Sequence, residues 1–371
     1  MTKNKKLLLG IGIVALIAIV SVGIYKNHQK ESDDSVIRIG VILPLSGDWG
    51  QFGERMLNGI KLWQDEHPNA RVKLYVEDGK GNAQKSITAF SKLVNLDRIN
   101  ACISGVSPVI LGIAPLADKA HVFTVNAGAT SPEIKKITPY MFTIIPDAEV
   151  EARYIARYVS KQLKFRECYV LWKNDDSGLG MLKCFSDEFS KLGGSVIGSD
   201  SILSIDSIKD SLAKIKNARV KAVFIPTNGE MMARIIKHAY SMGLRDIQWI
   251  GYAATESPEL KKELGDINDV KLIFSSYAFN ANRAFSGKSE RFITSYRQRF
   301  SEIPAYYSAT CYDAIDLIFS ASSAEGSDLL EKIKSISQFQ GVSGDFTIAG
   351  NHVNSGMTMK MLQNGDIVNV D

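Results

Sequence analysis

Short apolar runs alternate along this chain with longer stretches in which apolar residues recur every three or four positions. Ile37–Leu43 is an apolar run that predicts a buried strand. The stretch Gly50–Glu66 then places Phe52, Met56, Ile60 and Trp63 on one face, the spacing of an amphipathic helix. Residues 72–76 predict a second strand, ending in Glu77-Asp78-Gly79. Asn82 is positioned to cap a helix whose buried face is Ile87, Phe90 and Val94. A third strand at Ala101–Ser104 runs into Ser107-Pro108, and a fourth, residues 122–125, runs through Ala127-Gly128-Ala129 and Thr130 into Ser131-Pro132. Ser before Pro is a helix-start signal, because Ser can accept from free amides and Pro fits the first helical position.

The alternation restarts after Pro146. Helices are expected at 148–163, 178–192, 208–215 and 229–242, interleaved with strands at 168–172, 195–202, 222–225 and 247–250. A short helix starts at Ser257-Pro258, and Leu272–Tyr277 is one more strand. The tail differs: helices near Gly287–Phe300 and 306–323, a third helix, then strands at 345–348, 357–362 and 367–370 with an Asn364-Gly365 turn. The expected fold class is therefore α/β, with two doubly wound parallel-sheet lobes in succession. The late helices must pack back on the first lobe, which makes the lobes discontinuous. The expected division is 1–35 as leader and linker, 36–146 plus 279–344 as lobe 1, and 147–278 plus 345–371 as lobe 2. Three crossovers, near Pro146, Ala278 and Gly344, would form a three-segment hinge.

Charge changes the picture only at the start. Residues 1–30 hold five lysines and no acids; the rest has 39 basic and 40 acidic residues. Such a body has no polybasic footprint for nucleic acid. From Leu7 to Ile24 the chain is uncharged over 18 residues, about 27 Å of helix and nearly a bilayer core. It is either a secretory signal or an uncleaved membrane anchor, and both place Glu31 onward outside the cytoplasm, in the periplasm or on the outer face of the membrane. The four cysteines, Cys102, Cys168, Cys184 and Cys311, have no metal-site spacing; Cys168 and Cys184 are the nearest pair for a disulfide.

No catalytic constellation is legible, so a non-enzyme without catalytic residues, metal or cofactor is expected. There is no glycine-rich dinucleotide loop, phosphate-binding lysine motif or nucleophile elbow, and the five histidines are scattered. Helix starts at strand ends are present instead: the Ser46–Gly50 turn, Ser107-Pro108 and Ser131-Pro132. Backbone amides and hydroxyls converging at helix N-termini form an anion-accepting corner, although a plain strand-to-helix turn has the same local sequence. Trp49, Phe52, Trp172, Tyr252 and Tyr277 lie at or near strand ends and are candidate apolar walls.

In order and spacing, Ile37 to Gly53 (IRIGVILPLSGDWGQFG), Tyr75-Val76-Glu77-Asp78, Ile103 to Ser107, Ala129 to Glu133, Asp176-Ser177-Gly178, Tyr240 to Leu244 and Tyr312-Asp313-Ala314 resemble the leucine/isoleucine/valine-binding group of type I periplasmic binding proteins. The resemblance covers roughly 36–371. It implies a periplasmic-binding-protein-like fold and a small-molecule ligand, an amino acid or related carboxylate or amide, held between two lobes and delivered to the membrane permease of an ABC transporter. A membrane-anchored sensor or scaffold of the same fold is the alternative. The resemblance carries carboxylate contacts onto Ser107, Gly128, Ala129 and Thr130 and an aromatic contact onto Phe52. Trp49, Ser177, Asn228, Ala253 and Tyr277 complete the candidate site. The second lobe departs from the pattern: Ser177 and Asn228 stand where rings are usual. Gly251-Tyr252-Ala253 offers no acid for an ammonium, which leaves Asp48 or Glu256 as the nearest carboxylates.

Overall fold

In a computed structural model, residues 36–370 are described apart from 48, 135–137, 278, 280, 282, 283, 285, 323–328 and 355. The apolar run from Leu7 to Ile24, Asp48 and the expected crossover at Ala278 lie outside the described residues. Among the described residues no helix is long and apolar enough to cross a membrane.

Two sheets organise the molecule. The first has parallel strands β1 (Ile37–Leu43), β2 (Val72–Asp78), β3 (Ala101–Ser104), β4 (Phe123–Asn126) and β5 (Met141–Thr143). Between them run helices α1 (Gly50–Glu66), α2 (Ala83–Asn95) and α3 (Ser107–Ala120). The second has parallel strands β6 (Glu167–Lys173), β7 (Ser195–Ile202), β8 (Ala222–Phe224), β9 (Gln248–Gly251) and β10 (Leu272–Tyr277). Helices α4 (Ala148–Lys161), α5 (Asp176–Lys191), α6 (Ile208–Ala218), α7 (Gly229–Ser241) and α8 (Pro258–Leu264) flank it. The near-continuous apolar strands agree with sheets covered on both faces. Residues of β1, β3, β4, β8 and β10 are almost wholly buried.

The tail closes both halves. Helices α9 (Gly287–Phe300), α10 (Tyr306–Ser322) and α11 (Leu329–Ser335) precede β11 (Gln338–Gln340), β12 (Asp345–Ala349) and β13 (His352–Asn354). These three strands extend the first sheet beyond β5. The last strands, β14 (Met357–Gln363) and β15 (Asp366–Asn369), extend the second beyond β10. The chain therefore passes between sheets after β5, after β10 and after β13.

The last passage follows β13, beyond the expected crossover near Gly344. Residues 345–354 add to the first sheet, because the β5 edge is open there and the buried Asp313 of α10 fixes the preceding turn. Its carboxylate accepts from the amides of Val342 (2.7 Å) and Ser343 (2.8 Å) and from the Ser343 hydroxyl. A Cβ on Gly341 would lie 2.3 Å from Asp313 Oδ2, so glycine is required at this approach. Helix α10 seats on α1 equally closely: a Cβ at Gly59 would lie 1.9 Å from the Ser308 carbonyl oxygen. The strands β5, β11 and β13 are only three residues each, too short to show a period in sequence.

Candidate functional site

Three strand-to-helix junctions and one late helix converge between the two halves on a cavity of about 140 Å³. From the first half, β1 runs into α1 and brings Trp49 and Phe52. The β3–α3 junction brings Ser107, and the loop after β4 brings Gly128 and Thr130. From the second half, the β6–α5 junction brings Lys173, Asp175 and Ser177, and the end of β9 brings Tyr252. Tyr307, on α10, completes the wall.

The anion-accepting corner is built around Ser107. Val106 precedes it at φ 62°, a conformation that a β-branched residue adopts only where its surroundings force it. No side chain caps α3, so its N-terminal amides face the cavity margin uncapped. The Ser107 oxygen accepts from the Ser131 amide at 3.1 Å, which orients the hydroxyl and leaves its proton for an acceptor. Both Ser107 and Thr130 are about 2–3% exposed. The amides of Gly128 (3.2 Å) and Ala129 (2.7 Å) instead donate to Asn126 Oδ1, and Asn126 Nδ2 returns a bond to the Ala129 carbonyl. Asn126 thus spends the Gly128 and Ala129 donors on holding the loop. It was not among the expected residues, although an Asn ending a strand before a small-residue turn is a signal for this Asx-type bracing.

Contacts from the second half meet this corner directly. Thr130 Oγ1 lies 2.7 Å from Ser177 Oγ. Lys173 Nζ sits 4.1 Å from the Trp49 ring centroid, within cation–π range, and 3.4 Å from Asp175. Asp175 also caps α5 through the Gly178 amide at 2.9 Å. Farther out, Arg55 of α1 grips Glu259 of α8 through two bonds of 2.8 and 2.6 Å. Burial alone would raise the Glu259 carboxyl, but the Arg55 hydrogen bond and charge reverse this and hold it below the usual range. Burial, with Tyr307, Asp175 and Glu151 nearby, pushes Tyr252 well above its usual value, so the phenol stays neutral.

Six of the ten expected residues, Trp49, Phe52, Ser107, Gly128, Thr130 and Ser177, line this cavity. Ala129 is buried behind it. Asn228 caps α7 through the Met231 amide and lines a small neighbouring recess. Ala253 faces a separate chamber and gives its amide to Glu151. Tyr277 is buried and stacks on Tyr306 with centroids 3.8 Å apart. Trp172 packs against the core. Lys173, Asp175 and Tyr307 were missed. The first two follow the strand-end, helix-start pattern used elsewhere; Tyr307 sits in a late helix with no local signal. Glu256 is not available to an ammonium, because Lys360 binds it at 2.7 and 2.8 Å and Ser276 at 2.5 Å. Among the described residues no group of three or more His, Cys, Asp or Glu side chains is placed to hold a metal ion. All four cysteines are free, so Cys168 and Cys184 are not paired.

Known proteins share part of this sequence and its fold. The Leu/Ile/Val-binding protein BraC3 of Rhizobium johnstonii is 27% identical over 201 residues, 51% of this chain and 53% of that protein. The chain thus spans about half the length of the curated relatives it matches. The structure of a leucine-binding protein, LivK, from Thermotoga maritima superposes with a TM-score of 0.83 at 22% identity, over 91% of this chain and 98% of that one. A solute-binding protein of an ABC transporter from Rhodopseudomonas palustris, solved with 3,4-dihydroxybenzoic acid, superposes with a TM-score of 0.80 at 19% identity, over 91% and 96%. These two likenesses establish the two-lobed fold. Residues 36–366 match the model of the family described as periplasmic binding protein, and the chain belongs to that family.

Proposed function

We propose that this chain is an extracytoplasmic receptor that traps a small carboxylate between its lobes for an ABC-type importer, without chemistry. The observation that carries the reading is the Ser107 hydroxyl, oriented by Ser131 and aimed at a cavity that also holds the Lys173 ammonium. A helix N-terminus and a free hydroxyl proton together favour one negative charge, beside a Lys173 ammonium that Asp175 already balances. Size favours a single small molecule: a cavity of about 140 Å³ is close to the roughly 150 Å³ that admits benzene. The aromatic walls, Trp49, Phe52, Tyr252 and Tyr307, suit a planar or branched apolar body.

Among the described residues, Asp175 is the carboxylate on the cavity wall, and it already faces Lys173 and the Gly178 amide. A ligand ammonium would compete with that cation. This supports a carboxylate whose remainder is apolar, aromatic acids included, ahead of an α-amino acid. The relatives named for leucine, isoleucine and valine, and the neighbour solved with a dihydroxybenzoate, bracket these two classes.

The ligand-binding residues in this reading are Trp49, Phe52, Ser107, Thr130, Lys173, Ser177, Tyr252 and Tyr307. Lobe 1 is 36–146 plus 279–354 and lobe 2 is 147–278 plus 357–371. Closure is rotation about the three crossovers, and ligand shifts the population towards the closed form. The apolar run from Leu7 to Ile24 exports the chain; N-terminal sequencing of the expressed protein distinguishes a cleaved signal from a retained anchor. A thermal-shift panel of branched-chain amino acids, benzoates and small aliphatic acids tests the whole proposal. At least one carboxylate should raise the melting temperature, compact the chain in small-angle scattering, and lose about tenfold in affinity in Ser107→Ala. A uniform failure across the panel refutes it.

A further inference from the structure

Behind the wall formed by Tyr307 and the Ala253–Ala254 turn lies a second chamber, larger than the first at about 640 Å³. It opens between α10 of the first half and β14 and β15 of the second. Its walls are largely apolar, from Phe279, Ile303, Tyr306, Tyr307, Ile367 and Val368, with the exposed Lys261–Asp366 ion pair and Asn369 also lining it. Its floor is polar and built. Lys360, paired with Phe274 across β10 and β14, has a side chain only 4% exposed. Its ammonium donates to Glu256 Oε1 (2.7 Å) and Oε2 (2.8 Å), while the Ser276 hydroxyl donates to Oε2 (2.5 Å).

The inventory of this floor selects a ligand. An ammonium has three N–H donors, so Lys360 retains one beyond its two bonds to Glu256. The Glu256 carboxylate keeps unused lone pairs beside it. The pair is neutral as a unit and presents one donor and one acceptor side by side. A carboxamide is the complement, with its carbonyl on Lys360 and its N–H on Glu256. A carboxylate would set an uncompensated negative charge against Glu256, and an amine an uncompensated positive one against Lys360, whose side chain is only 4% exposed. We infer that the second chamber is a distinct binding site for a neutral molecule with an apolar or aromatic body and a carboxamide-like head. It goes beyond the carboxylate site at Ser107 and does not depend on it.

The probe is 3-phenylpropanamide, compared with 3-phenylpropanoate and 3-phenylpropylamine by calorimetry on the full chain. The amide should bind with one site per chain, at least about tenfold more tightly than either charged analogue. Its affinity should be unchanged in Ser107→Ala, and lost in the paired variant Glu256→Gln/Lys360→Met. Val368→Trp fills the chamber from the edge strand β15, where Val368 pairs with Met361, and it leaves Lys360 and Glu256 themselves unchanged. It should abolish amide binding while leaving the melting temperature and carboxylate binding at the Ser107 cavity intact. The inference is overturned if the amide fails to bind, if 3-phenylpropanoate binds equally well, or if Ser107→Ala removes amide binding while Val368→Trp does not. Failure of the carboxylate panel with retained amide binding would sink the Ser107 reading alone.

Discussion

Glu151 makes the stability of this protein fall as pH rises through the neutral range, and Glu151→Gln should remove that fall. The side chain projects from α4 and is fully buried. Its Oε1 accepts from the Ala253 amide at 2.7 Å and the Ser275 hydroxyl at 2.6 Å. Its Oε2 is buried without a hydrogen-bond partner. Burial outweighs the two bonds and raises the carboxyl from 4.5 to about 7. Below about pH 4.5 the folded and unfolded chains both hold the proton, and there is no penalty. Between 4.5 and about 7 the unfolded chain has released it while the folded chain retains it, so stability declines with rising pH. Above about 7 the penalty is complete. At about 1.4 kcal/mol per pH unit, the displacement amounts to about 3 kcal/mol. Glutamine keeps an oxygen for Ala253 and Ser275 and mimics the protonated acid. Urea midpoints of the native chain and Glu151→Gln, measured from pH 4 to pH 8 at constant ionic strength, isolate this group, because other titrations cancel in the difference. The native chain should lose about 3 kcal/mol relative to the variant across that range. A difference that is flat, or that favours the native chain as pH rises, refutes the argument that desolvation dominates at Glu151.

Three further outcomes follow from named contacts. A double-mutant cycle with Arg55→Met and Glu259→Met should give a coupling of about 1–2 kcal/mol by urea unfolding, and either variant should expand the ligand-free chain in small-angle scattering; zero coupling would mean that the pair does not join the halves. Asn126→Ala removes the brace on Gly128 and Ala129 and should cost about 2–4 kcal/mol of stability by calorimetry, with weaker carboxylate binding, whereas an unchanged melting temperature would contradict the brace. Burial pushes Cys168 up to about 12, raises Cys102 and Cys311 still further, and leaves only Cys184 partly exposed. A thiol reagent should therefore modify one cysteine in the native chain and four in denaturant; fewer than four after unfolding would reveal a disulfide.

Much of this molecule is written locally. The spacing of Phe52, Met56, Ile60 and Trp63 specifies α1, and Ser107-Pro108 marks the start of α3, because helix period and helix capping involve residues within one or two turns. The same local grammar placed Trp49, Phe52, Ser107, Gly128 and Thr130 at strand ends, where an open α/β sheet puts its ligands, and the family resemblance added Ser177. Lys173 and Asp175 were legible by that rule and were overlooked, since their strand end reads as an ordinary capped turn.

What the sequence determined by itself is therefore the set of long elements, their alternation, and which junctions carry amides and hydroxyls. The tertiary structure decided the pairings between distant segments. Residues 345–354 joined the first sheet because Asp313, on another element, held the turn before them beside the open β5 edge. Tyr307 reached the cavity because α10 packs on α1 through the space left at Gly59. Glu256 was taken by Lys360, 104 residues away, and so was lost to the first cavity and became the floor of the second. Each outcome depends on which groups share a desolvated volume, and burial is a property of the packed chain that no local period encodes.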